Sequence, residues 1–141
     1  MKSGQQFLRR LLDCIEDSPL RLTRKRRGLL EVMTSFDRPF LASELLEKAR
    51  LPTGDLVTIY RTLEAFEGIG IVQRIPLENG GHLFELTEPH DHHHHFVCRQ
   101  CYRTERLDLC LANDLEKRAR RLGFSDITHT MEVYGLCADC R

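Results

Sequence analysis

The spacing of hydrophobic residues predicts three helices in the first part of the chain. Apolar side chains recur at helical spacing over residues 2–15, which indicates an amphipathic helix. A second helix of about a dozen residues is predicted to begin at Thr23, its N-cap, and to end before Pro39. A third, shorter helix is expected to start with Ser43 as its N-cap.

The next segment predicts a fourth helix and a β-hairpin. The helix is expected to run from about Asp55, its N-cap, to Glu67, where two glycines stop it. Residues 71–75 and 82–86 are two short β-forming runs around Glu-Asn-Gly-Gly, which is typical of a hairpin. Three helices closed by a hairpin describe a winged helix, in which the last helix enters the DNA major groove.

The fourth helix and a basic segment offer candidate DNA contacts. Four side chains of the helix are predicted to face outward: Thr58, Tyr60, Arg61 and Thr62. Five positive charges without an acid lie in residues 20–27: Arg21, Arg24, Lys25, Arg26 and Arg27. Each pattern alone also fits an ordinary solvated helix face. Together they provide groups that can read base edges and groups that attract phosphate.

Beyond residue 90 the pattern indicates a small αβ domain. A histidine run leads into an apolar strand, residues 114–122 fit a helix, and residues 127–136 fit a strand. We therefore predict an α+β chain with a winged-helix DNA-binding domain over residues 1–86. A hinge over 87–92 would connect it to the αβ domain over 93–141.

Composition narrows the functional classes. The chain has 141 residues, of which 41% are hydrophobic and 30% charged, a balance typical of a globular protein too short for a large enzyme scaffold. No apolar run approaches the ~20 residues of a membrane helix, and no signal peptide is recognisable. We expect a cytoplasmic protein with no membrane partner. Because 21 basic residues balance 21 acidic ones, DNA binding would depend on the local basic cluster.

Four of the six cysteines form two C-x-x-C pairs, which predict a structural zinc site. The pairs are Cys98 with Cys101 and Cys137 with Cys140. Two such pairs complete the tetrahedral thiolate shell that zinc prefers, whereas a redox function would need only one pair. The remaining Cys14 and Cys110 stand among apolar residues and are interpreted as small buried thiols.

The histidine run beside the first pair predicts further metal ligands. In a strand, His93 and His95 would share one face, and His92 and His94 would share the other. Each histidine pair could therefore contribute to a separate metal site. Nitrogen-rich sites suit zinc or nickel at least as well as ferrous iron.

The ordered set of motifs resembles the ferric uptake regulator (Fur) family of metal-dependent repressors. The motifs are residues 58–63 (Thr-Ile-Tyr-Arg-Thr-Leu), 84–87 (Phe-Glu-Leu-Thr), 92–101 and 134–140. The resemblance covers nearly the whole chain. It implies a winged helix, a C-terminal dimerisation domain, one structural Zn(II) per chain and a regulatory metal, Fe(II) or Zn(II), at the hinge. A homodimer would then bind palindromic operator DNA, with no small-molecule substrate.

Matching the family's sites residue by residue gives two further ligand sets. Glu85, His93 and His95 match hinge ligands, but Phe40, Gln73 and Thr87 stand where metal-sensing members place His, Cys or Asp. The hinge site is then either three-coordinate plus water or rebuilt with His90 or His82. For a second site, His92, His94 and His129 match, while the usual carboxylate aligns near Ala112, with Asp108 or Asp114 as substitutes.

Two alternatives belong to other functional classes. A small zinc metalloenzyme would use the histidines to activate water, but the sequence offers no separate base or nucleophile, so we predict no catalytic residue. A passive zinc-buffering protein would explain the cysteines and histidines but not Tyr60 and Arg61. Affinity for duplex DNA separates the repressor from both alternatives.

Overall fold

The computed structural model describes residues 2–108, 110 and 112–141, with side chains from residue 4 onward. The described chain forms two compact units, which divide after His92. Helices dominate the first unit and a small sheet with one helix forms the second. The predicted α+β class is therefore confirmed. Among the described residues, no helix is both long and apolar enough to cross a membrane.

The first unit has four helices followed by an antiparallel hairpin. In chain order, α1 spans Lys2–Glu16, α2 Arg24–Met33, α3 Ala42–Lys48, a 3-10 turn Thr53–Asp55, α4 Leu56–Gly68, β1 Val72–Pro76 and β2 His82–Leu86. The register of the hairpin pairs Gln73 with Glu85 and Arg74 with Phe84. This order of elements is the one that the hydrophobic pattern predicts.

One apolar core holds the helices of this unit together. Fifteen buried residues form a single cluster that includes Leu30, Leu45, Leu63 and Phe66. They come from α1 through β2, so the hairpin packs on the same core as the helices. A side chain of this kind contributes about 1.5 to 3 kcal/mol when fully buried, which fixes α4 against its neighbours.

Two predicted helix caps differ from the structure. Ser43 lies inside α3, whose N-cap is Leu41; there the Glu44 carboxylate accepts the Leu41 main-chain N–H at 2.7 Å. Hydrogen bonds from Arg38 hold this carboxylate in place and lower the pKa of Glu44. Asp55 is the N-cap residue of α4, but its side chain makes no capping bond and lies 3.4 Å from Lys25 Nζ instead.

The second unit has a three-stranded sheet and one helix. Its elements are β3 (His94–Cys98), β4 (Thr104–Leu107), α5 (Asn113–Arg121) and β5 (Glu132–Gly135). The strand order is β4-β3-β5, with β3 antiparallel to β4 and parallel to β5. The hydrophobic pattern does not predict β4, and β5 is shorter than the strand predicted over residues 127–136. Because β3 and β5 run in parallel, their C-terminal ends meet at one edge of the sheet.

Candidate metal centres and DNA-binding surface

That sheet edge brings the four predicted zinc ligands together. Cys98 ends β3 opposite Gly135 of β5, and Cys137 follows β5 by two residues. Each C-x-x-C then turns back, with Tyr102 in a left-handed conformation after the first pair and Cys140 donating to the Cys137 carbonyl in the second. The four Sγ atoms lie within 4.8 Å of one another, and those of Cys101 and Cys137 are 3.7 Å apart.

The electrostatics of this four-cysteine cluster favour a cation. Main-chain N–H groups of Cys101 and Cys137 point at the Cys98 sulfur and lower the pKa of that thiol to about 6. Hydrogen bonds with the Cys137 and Cys101 thiols raise the pKa of Cys140 to about 12. Four thiolates at this spacing would also repel one another. A divalent ion at the centre removes that repulsion, and Zn²⁺ takes four thiolates readily.

A second cluster combines histidines with an unpredicted thiol. Its members are His92, His94, Cys110 and His129, whose candidate ligand atoms lie within 4.8 Å of one another. The sequence predicts a small buried thiol at Cys110 and a fourth ligand at Asp108 or Asp114. In the structure the thiol occupies the cluster, and neither aspartate belongs to it. A single cysteine such as Cys110 can be recognised as a candidate ligand only when the fold shows which residues lie beside it.

The other face of β3 carries His95 beside a buried carboxylate. His95 is only 2% exposed and pairs in register with Arg106 of β4 and Glu132 of β5. One Glu132 oxygen accepts the His95 main-chain N–H at 2.9 Å and lies 3.4 Å from His95 Nδ1. No sequence pattern identifies Glu132 as a partner of His95, since only the parallel pairing of β3 with β5 places it there. A carboxylate on Nδ1 leaves Nε2 as the nitrogen that can bind a metal.

Three other hinge candidates, Glu85, His90 and His82, belong to the first unit, whereas His93 opens the second. Glu85 lies on β2, half-buried, and His90 is exposed with a left-handed backbone. His82 contacts the Phe84 ring, and strand alternation puts both on the face of β2 opposite Glu85, which makes His82 a poor partner for that carboxylate. Phe40 is buried between Phe36 and Phe84 rings, so the position that resembles a ligand site in the family is part of the core here.

The predicted DNA contacts of α4 are mostly exposed. Tyr60 is 49% exposed and touches the Phe84 ring edge-on, Arg61 is exposed, and Thr58 is half-buried. Thr62 is a correction: it is 2% exposed and faces the core, because the helix turns it toward the same side as Ile59 and Leu63. Of the two threonines predicted to face outward, only Thr58 is therefore accessible to solvent.

The basic cluster lies beside the start of α4. Arg24, Lys25 and Arg26 form the first turn of α2, where the Thr23 side chain accepts the Arg26 main-chain N–H. Lys25 reaches Asp55, the residue before α4, which brings the two helix starts together. The Arg26 guanidinium donates to the Arg21 carbonyl at 2.8 Å, whereas Arg24 is an exposed side chain.

Comparison with known proteins places these features in a family. The family model described as "Ferric uptake regulator family" matches residues 17–134. The ferric uptake regulation protein of Legionella pneumophila is 33% identical over 131 residues, which cover 90% of this chain and 96% of that protein. That of Escherichia coli K12 is 33% identical over 136 residues, with 90% and 89% covered.

Solved structures give the same result. The Vibrio cholerae ferric uptake regulator superposes with a TM-score of 0.67 at 30% identity, covering 89% of this chain and 98% of that one. A zinc uptake regulator complexed with zinc and DNA shares the fold with a TM-score of 0.72 at 24% identity, covering 96% and 93%. Since the family match, the sequence relatives and the fold agree over most of the length, this chain belongs to the ferric uptake regulator family.

Proposed function

We propose that this chain is a metal-dependent transcriptional repressor that binds a palindromic operator as a homodimer. Cys98, Cys101, Cys137 and Cys140 would hold one structural Zn(II) per chain. Glu85, His93 and His95, with His90 as a candidate fourth ligand, would hold a regulatory Fe(II) or Zn(II). The observation that carries the proposal is the exposed Tyr60 and Arg61 surface of α4, flanked by the basic start of α2, in a chain of this family.

The homodimer is supported by apolar surface on the second unit. Six large apolar side chains of this unit are between 45% and 70% exposed: Phe96, Leu115, Leu122, Phe124, Val133 and Leu136. No described residue of α5 is buried, although Leu115 and Ala119 lie one turn apart on one side of it. An amphipathic helix with no covered face is unusual in a monomer, and a second copy of the chain would cover it.

The proposal excludes enzymatic and buffering functions as the main activity. In the part of the chain that the structure describes, the thiols beside these histidines and in the two C-x-x-C pairs group as metal ligands, and a buffer has no use for an exposed Arg61 next to a basic cluster. Because a repressor acts on chromosomal DNA, the proposal includes a cytoplasmic location. The direct test selects binding sites from a random duplex pool and then measures their affinity with Fe(II), Zn(II), Ni(II) or Mn(II), or without added metal. If the protein binds no duplex, either with any of these metals or without added metal, the proposal is rejected.

We expect Arg61→Ala to weaken binding to the selected operator by about 1 to 3 kcal/mol and to relax its sequence preference, because Arg pairs with guanine edges. Arg24→Ala should instead weaken binding to all duplexes alike and reduce the slope of log K against log salt by about one. Arg24 is the better phosphate probe than Arg26, whose guanidinium also binds the Arg21 carbonyl. Titration of both variants on operator and scrambled duplexes at several salt concentrations measures this. Identical curves for both variants and the unmodified protein would contradict the DNA-binding surface.

We expect Glu132→Gln to weaken regulatory metal binding by about 10- to 100-fold, the usual effect of removing a carboxylate that orients a ligand histidine. The amide oxygen can still accept the His95 main-chain N–H, so the melting temperature should change little. Glu105→Gln is the matched control, because Glu105 is exposed and pairs with Phe96 on the opposite face of β3. Competition with a chelating dye gives the affinity, and equal values for both variants would show that Glu132 does not act on the site.

A further inference from the structure

The cluster of His94, Cys110 and His129 has the dimensions of a zinc site. The Nε2 atoms of His94 and His129 are 3.1 Å apart, and Cys110 Sγ lies 3.3 Å from His129 Nε2. Zinc bonds of 2.0 to 2.1 Å to nitrogen and 2.3 Å to sulfur place tetrahedral ligands about 3.3 Å and 3.6 Å apart. The observed separations are within a few tenths of an ångström of these values.

The orientation of both imidazoles supports a cation between them. His94 Nδ1 lies 3.1 Å from the Met131 carbonyl, and His129 Nδ1 lies 2.7 Å from a Glu116 carboxylate oxygen. Both of these oxygens only accept hydrogen bonds when Glu116 is ionised, so each Nδ1 carries the proton. The two Nε2 lone pairs then face each other across 3.1 Å, with a thiol beside them. Two such lone pairs repel each other, and a cation bound to both nitrogens and to the sulfur removes that repulsion.

The thiol distinguishes this site from the one that the family resemblance implies. There, a carboxylate aligned near Ala112 would complete the histidine set. Here Cys110, in the connection between β4 and α5, supplies sulfur at that point. Thiolate ligands favour zinc over manganese, magnesium and ferrous iron, whereas carboxylates favour the harder ions.

We propose that Cys110 is a thiolate ligand that completes a zinc-selective site with His94 and His129, and with His92 as the further nitrogen donor. Glu116 orients the His129 imidazole, and the Met131 carbonyl orients that of His94. The site is separate from the four-cysteine cluster and from the hinge ligands, and the proposal does not depend on DNA binding.

The test uses the full chain with zinc retained in its four-cysteine cluster and Co(II) as the probe. Co(II) bound by Cys110 produces a thiolate charge-transfer band in the near ultraviolet. We expect this band in the unmodified protein and in Cys14→Ser, the control thiol, but not in Cys110→Ser. We also expect Zn(II) affinity at this site to fall at least about 10-fold in Cys110→Ser. Removing a residue that only orients a ligand already costs about that much, and Cys110 is proposed to bind the ion directly.

A second variant keeps the proposal falsifiable should Cys110→Ser fold poorly. Cys110→Asp restores a carboxylate, so it should still bind metal but without the charge-transfer band, and its preference for Zn(II) over Mn(II) should decrease. The proposal is overturned when the unmodified protein shows no thiolate band. It is also overturned when Cys110→Asp and the unmodified protein show the same preference for Zn(II) over Mn(II), which would mean that the Cys110 thiolate is not a ligand that sets the metal preference.

Discussion

Cys98→Ser or Cys137→Ser is expected to remove one zinc per chain and to unfold the second unit. The reason is the small size of its core: among the described residues of this unit, the buried apolar side chains are only Val97, Cys98 and Ala112. The first unit, in contrast, has a cluster of fifteen. A domain with so little buried apolar surface needs another source of stability, and a structural zinc supplies about 10 to 16 kcal/mol of apparent binding free energy.

The positions of Cys98 and Cys137 explain why loss of zinc should unfold the second unit. Both cysteines stand where β3 and β5 end side by side, so the ion fastens the two strands at one edge of the sheet. Loss of one thiolate leaves the other three close together without a counter-charge. The exposed apolar face that we assign to the homodimer belongs to the same sheet and to α5, and we therefore expect the dimer to dissociate as well.

The measurement combines zinc content with thermal unfolding and sedimentation. Cys14→Ala is the matched control, because Cys14 lies in α1 of the first unit and outside both metal clusters. This control should keep its zinc content and remain a dimer. Its stability should fall only by the small contribution of a half-buried side chain. A Cys98→Ser protein with the same zinc content and the same melting temperature as the unmodified protein would show that the four thiols are not a structural site.

Local sequence patterns were sufficient for most of the first unit. Its helices bury apolar side chains at helical spacing, and its hairpin has an alternating pattern around a Gly-rich turn, so each element is encoded within its own residues. The errors are confined to ends and faces. The N-cap of α3 is Leu41 rather than Ser43. The Glu44 carboxylate, which Arg38 holds in place, accepts the main-chain N–H of Leu41. Thr62 was assigned outward, although a threonine at that position of α4 contacts the core.

The second unit could be predicted less completely because its structure depends on contacts distant in sequence. The strand β4 reads Thr-Glu-Arg-Leu, which lacks an apolar alternation, and it forms because β3 offers a free edge. Cys110 and His129 are 19 residues apart, and Glu132 meets His95 only through the parallel pairing of β3 and β5. The C-x-x-C pairs were recognisable because each brings two ligands together locally.

We expect His93→Ala and His95→Ala to abolish metal-dependent DNA binding while the four-cysteine zinc and the fold remain. The proposed regulatory ligands come from both units: Glu85 lies in the last strand of the first, and His93 and His95 open the second. An ion held by all three would restrict the angle between the units. Since a dimer must present two α4 helices at the spacing of its half-sites, fixing that angle favours the DNA-binding state.

Thermodynamic linkage makes this expectation quantitative. When metal strengthens operator binding, the operator must strengthen metal binding by the same factor, and a coupling of about 1 to 3 kcal/mol corresponds to about 5- to 150-fold. We expect this reciprocity in the unmodified protein and its loss in both variants. His129→Ala is the matched control, since His129 belongs to the cluster with Cys110 rather than to the hinge ligands. The measurement compares operator affinity with and without regulatory metal, and metal affinity with and without operator, in protein whose four-cysteine site holds zinc. Superimposed curves for the unmodified protein would mean that a Fur-family DNA binder with Phe40 in its core has lost the switch, and that Glu85, His93 and His95 do not form a regulatory site.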